Sequence, residues 1–74
     1  MAATKTRRGA RVAQARRKAG LSQQALADRV GTARSTVARV EIGMTTPTLD
    51  LALAISRELG ESVEALFGGG GRRR

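Results

Sequence analysis

The stretch LADRVGTARSTVARVE, residues 26 to 41, holds two helix-like patterns parted by a single glycine. No other feature of the chain constrains its fold as much. A short link cannot join two helices at a shallow antiparallel angle without a special backbone. It can join them steeply if one residue takes positive φ, which glycine does without steric cost. Gly31 stands where that residue is needed. Ala27, four positions earlier, is small and lets the second helix approach closely. Leu26, Val30, Val37 and Val40 are then available to fill the angle.

The rest of the chain repeats the pattern. Glycines 20, 31, 43 and 60 each follow a helical pattern and divide residues 9–67 into five pieces. The first predicted helix runs from Ala10 to Ala19, with Val12, Ala15 and Ala19 inward and Arg11, Arg17 and Lys18 off that face. The second follows an N-cap at Ser22 and ends at Val30, with Leu26, Ala27 and Val30 as its apolar face. The third spans Arg34 to Ile42, with Val37 and Val40 inside. Pro47 and a capping Thr48 precede the fourth, whose inner face reads Leu49, Ala52, Leu53 and Ser56, with Leu59 at its end. A short fifth helix, capped by Ser62, points Val63, Leu66 and Phe67 inward. Polar and β-branched residues never alternate over a useful length, so no strand is predicted. The predicted class is all-α, a compact five-helix domain over residues 9–67. Residues 1–8 read as a flexible basic arm, and residues 68–74 (GGGGRRR) as a disordered tail.

Composition narrows the function. The 74 residues suit one small domain. Cysteine and histidine are both absent, which removes disulfides, thiolate chemistry and the common zinc sites. No metal and no cofactor is expected. Phe67 is the sole aromatic, so the core must be aliphatic. Fourteen Lys or Arg face six Asp or Glu, a net charge of +8, which points to a polyanionic partner. No apolar run approaches the ~20 residues of a membrane span. The opening MAATKTRRGAR lacks an apolar stretch after its charges, so no secretory signal is expected and the cell interior is the expected compartment. Asp50, Glu58, Glu61 and Glu64 fall in the last two helices, while the bases crowd the arm and helices 1 and 3. Such a chain can turn one positive face toward a polyanion.

A steep two-helix corner in a basic domain is the pattern of a DNA-binding helix-turn-helix. The segment from GLSQQALADRVG to ESVEALF resembles the lambda-repressor/Cro/Xre helix-turn-helix family, in particular its short stand-alone members. The resemblance covers residues 11–67. GLSQ opens the second helix, and LA followed by Gly31 makes the turn. Glu41 and Gly43 close the third helix, Pro47 and Leu49 open the fourth, and LG followed by SVEALF ends the domain.

The resemblance implies roles for particular residues. Arg34, Ser35 and Arg39 match the base-reading positions of the recognition helix. Gln23 would contact phosphate and brace the third helix. Thr32, Thr36 and Thr45 would face the DNA backbone. Arg16 and Glu41 match a pair that ties helix 1 to the end of helix 3. The chain also departs from the family pattern. Thr32 stands after Gly31 where an apolar residue is usual, and Ala33 stands at the usual Ser or Thr cap. Thr32 is therefore expected to take over the capping and shift the helix start by one residue. Met44 replaces a loop Lys or Arg, which removes a phosphate contact. Glu61 sits where an apolar residue is common.

These residue types suit the chemistry. Arginine hydrogen-bonds guanine O6 and N7 bidentately, worth ~1–3 kcal/mol of discrimination. Arg34 and Arg39 are about 140° apart around a helix, so both reach a groove only by bending inward from its two walls. Ala38 offers a methyl group to thymine. Plainer readings stand beside these. The two arginines could be solvated surface, and Arg16 with Glu41 an ordinary surface pair worth little. Gln23 could belong only to the capping turn. TKTRR and RRR read as generic polyanion contacts, or TKTRR as a minor-groove arm.

Rival functions are weaker. Catalysis is not expected, because no Ser sits with a base and no GK[ST] follows the glycine run. The alanine face of helix 1 is too poor for membrane insertion, and aromatic platforms for RNA bases are missing. An antitoxin-like protein-interaction module, or a nonspecific nucleic-acid binder, stays open as the alternative. The expected function is sequence-specific binding of double-stranded DNA by a transcriptional regulator, a repressor in sign. It would act as a homodimer on a palindromic operator with half-sites ~34 Å apart. Helix 5, through Leu66 or Phe67, is the expected contact between copies.

Overall fold

The computed structural model describes residues 9–68 as four α-helices and a closing π-helical turn. The helices are α1 (Ala10–Lys18), α2 (Gln23–Val30), α3 (Arg34–Glu41) and α4 (Leu49–Leu59), and the turn is Glu64–Gly68. This is the compact all-α arrangement of five helical elements expected from the sequence. Hydroxyl caps start three of the five. Ser22 Oγ accepts from the Ala25 N–H at 2.9 Å, Thr48 Oγ1 from Leu51 at 3.2 Å, and Ser62 Oγ from Ala65 at 2.9 Å. Each satisfies a backbone donor that a helix start leaves orphaned. Gly20, Gly31, Gly43 and Gly60 all take positive φ, between 71° and 80°.

The core is aliphatic: Val12, Leu26, Ala27, Val37, Val40, Ile55 and Leu66. α2 packs on α3 and α4, while α1 packs on α3 and the closing turn. No helix among the described residues is long and apolar enough to cross a membrane.

Two packing details differ from the sequence expectation, while Leu66 and Phe67 turn inward as expected. α1 ends at Lys18, and Ala19 is its exposed cap rather than part of the inner face, which Val12 and Ala13 supply with Ala15 packed beside them, as expected of Val12 and Ala15. α4 is rotated. Ala52 and Ile55 are buried and Leu51 and Leu59 pack against the core, while Leu49 is 69% exposed and Leu53 38%. The observed stripe buries Ile55, whereas the predicted stripe would have turned Ile55 out and Ser56 in. Apolar burial at ~25 cal/mol per Å² decides in favour of the observed one. Leu66 is only 2% exposed and Phe67 packs against the core, so the apolar side of the last element is largely used within one chain.

The sequence also gave no warning of Gly9. A Cβ there would lie 1.7 Å from the Val40 carbonyl oxygen and 2.6 Å from the Glu41 Cα. The start of α1 thus touches the backbone at the end of α3, an approach only glycine allows. The closing turn takes in Gly68, one residue past the expected boundary. The proposed arm (1–8) and the rest of the tail (69–74) lie outside the described residues.

Candidate nucleic-acid interface

The corner between α2 and α3 is built as its spacing suggests. Gly31 has φ 76° and ψ 36°, and its N–H donates to the Ala27 carbonyl. The Thr32 N–H donates to the same oxygen at 2.9 Å. Two bonds on one carbonyl close α2 tightly and redirect the chain within two residues. Ala27 is fully buried under the crossing, which its single methyl group makes possible.

The expected shift in the start of α3 does not occur. Ala33 is the N-cap, in extended conformation, with no side-chain hydrogen bond closing the turn. The first bonds of α3 are accepted by the Ala33 carbonyl, from the Thr36 N–H at 3.0 Å and the Val37 N–H at 3.3 Å, which places Thr32 one residue before the cap. Arg34 therefore remains the first residue of α3. From there the helix divides cleanly. Val37 and Val40 are buried at 1% and 2% exposure, and Glu41 at 7%. Arg34, Ser35 and Arg39 are exposed and Ala38 half-buried, on an arc that ideal geometry makes about 140° wide. Thr32 and Thr36 are half-buried beside it, and Thr45 is exposed in the link from α3 to α4. Met44, in the same link, is 72% exposed.

A chain of polar contacts supports this face from behind. Arg16 Nε donates to Glu41 Oε2 at 2.6 Å, and Arg16 Nη2 to Oε1 at 3.2 Å. Arg16 Nη1 donates to the Leu21 carbonyl at 2.8 Å. The pair is no ordinary surface pair, since its side chains are 11% and 5% exposed. Gln23 Nε2 donates to Glu41 Oε1 at 3.0 Å, and Gln23 Oε1 accepts from Arg34 Nη1 at 3.1 Å. Glu41 can only accept, so it fixes which end of the Gln23 amide faces it. The carbonyl end is then left for Arg34. One buried carboxylate thus ties α1, the start of α2 and both ends of α3 into a rigid frame. Gln23 thus braces the third helix, as the resemblance implies, and does so through Glu41 at one end and Arg34 at the other. Gln23 Nε2 keeps a second hydrogen for an outside acceptor.

Opposite charges meet elsewhere. Arg29 Nη1 donates to Glu58 Oε2 at 2.9 Å, linking α2 to α4, and Arg11 Nη1 donates to the Ala65 carbonyl at 3.3 Å. The Arg39 side chain makes no hydrogen bond or ion pair among the described residues, and its backbone carbonyl accepts from the Met44 N–H at 2.9 Å.

A steep corner, an exposed second helix and a buried brace define a helix-turn-helix domain. The helix-turn-helix (HTH_3) family model matches residues 12–66. An uncharacterized HTH-type transcriptional regulator of Methanothermobacter thermautotrophicus is 45% identical over 53 residues, covering 70% of this chain and 77% of that protein. Among solved structures, the P22 c2 repressor in complex with a synthetic operator superposes with a TM-score of 0.82 at 29% identity, covering 88% of this chain and 98% of that one. The restriction-modification controller protein C.AhdI of Aeromonas hydrophila gives 0.74 at 36% identity, covering 80% and 89%. The chain belongs to the Xre/Cro-like helix-turn-helix family of DNA-binding transcriptional regulators.

Proposed function

We propose that this regulator is a sequence-specific repressor that reads the major groove of double-stranded DNA with α3 and binds a palindromic operator as a homodimer. The observation that carries the reading is the exposed arc of Arg34, Ser35 and Arg39 on a helix anchored by the buried Arg16–Glu41 pair. Arg34 and Arg39 read guanine edges, Ser35 bonds a base edge, and Ala38 meets a thymine methyl. Gln23 donates its second amide hydrogen to a phosphate while its carbonyl holds Arg34 in place. Thr32, Thr36 and Thr45 add phosphate contacts, which position the domain without reading sequence. Repression needs only occupancy of an operator that overlaps a promoter. The likeness to a repressor solved on operator DNA supports that sign.

The test is binding of single variants to cognate and scrambled duplexes. Arg34→Ala should cost ~1–3 kcal/mol on the cognate site and little on the scrambled one. Gln23→Ala should weaken both, through the lost phosphate contact, and narrow the difference between them, through the freed Arg34. If Arg34→Ala weakens both duplexes equally, the assignment of Arg34 to a base is wrong.

A further inference from the structure

α4 presents an outward stripe that no other described residue covers. Leu49 and Leu53 are exposed on it, and so are Asp50 and Arg57. At about 100° per residue these four positions fall within an arc of about 100°. Asp50 lies in the first turn of α4 and Arg57 in the last. The described residues contain two ion pairs, Arg16–Glu41 and Arg29–Glu58, and neither involves Asp50 or Arg57. The stripe therefore has Leu53 at its centre, between an acid and a base that are unpaired among the described residues, and Leu49 at its N-terminal end.

Such a pattern is self-complementary. In a two-fold contact each residue meets its counterpart twice. An antiparallel crossing of two α4 helices, centred between residues 53 and 54, sets Asp50 opposite the partner's Arg57 and repeats that pair on the other side. Leu53 then lies at the axis against the partner's Leu53. We infer that a second copy of this chain docks on α4 in this way, through Leu49 and Leu53 with crossed Asp50–Arg57 pairs. The inference rests on the dimeric reading above and moves its contact from the last helix to α4. An acidic or basic partner would find only half of its charges matched, whereas a second copy matches both. One helix face makes a small contact, below the ~1,200 Å² of stable complexes, so free copies should associate weakly and DNA should hold them together.

Sedimentation equilibrium up to about 1 mM protein tests this, with helicity confirming that each variant is folded. The wild type should show a concentration-dependent dimer. Asp50→Arg and Arg57→Asp should each raise its dissociation constant about tenfold, because each sets like charges face to face. The double variant restores both pairs and should return to within about threefold of wild type. Leu53→Glu, an exposed position, should leave only monomer. A wild type that stays monomeric throughout, single reversals without effect, or a double variant without rescue would overturn the inference. Binding to an isolated half-site separates this from the reading it rests on. Charge reversals that abolish the dimer but keep half-site discrimination support both. A dimer with the expected rescue that discriminates no sequence contradicts only the DNA-reading assignment.

Discussion

Glu41 carries more of the architecture than any other polar side chain here. Its carboxylate takes hydrogen bonds from Arg16 and Gln23 at 7% exposure. The pairing with Arg16 was readable in the sequence, because both residues occupy positions shared with a known family. The onward link to Arg34 was not, because it depends on which way one amide faces in three dimensions. Gly9 is the opposite case. Its sequence context suggests only a helix boundary, yet a Cβ there would collide with the backbone of Val40. Gly9→Ala should therefore destabilise by ~1–3 kcal/mol, as overpacking does, although alanine is the better helix former. Thermal melting reads the sign directly, since ~1 kcal/mol moves the midpoint of a domain this small by roughly 4–8 °C. A higher midpoint would mean that α1 does not press on α3.

At the scale of elements, helix existence and the corner at Gly31 were legible, because glycine spacing and hydroxyl caps are local signals. The rotation of α4 was not. Its sequence LDLALAISREL offers two apolar stripes, one through Leu49 and Leu53 and one through Leu51, Ile55 and Leu59. Only contact with the other helices selects between them. Ile55→Ala should cost ~2–5 kcal/mol, while Leu53→Ala should stay within about 0.5 kcal/mol in the monomer. A larger loss for Leu53→Ala than for Ile55→Ala in urea unfolding would return α4 to the orientation expected from sequence. The start of α3 makes a second point. Ala33 has the backbone of an N-cap but no side chain to close it. Ala33→Ser should add ~0.5–2 kcal/mol, measured by the same unfolding curve. No gain would mean that the first turn of α3 is already satisfied by another group.

On the scale of the whole molecule, the +8 charge set the class of partner before any fold was known. Charge alone predicts binding to any polyanion, with affinity falling as salt rises. In the function proposed above, attraction becomes recognition through the exposed arc of α3, held in place by Gly31, Ala27 and the Arg16–Glu41 pair. The central claim is that this arc reads base sequence. Selection of bound duplexes from a random pool at about 150 mM salt, where purely electrostatic binding is weakened, tests it most directly. The account predicts an inverted repeat with half-sites ~34 Å apart and guanine at the positions facing Arg34. Recovery of no motif, with binding that fades uniformly as salt rises, would contradict it.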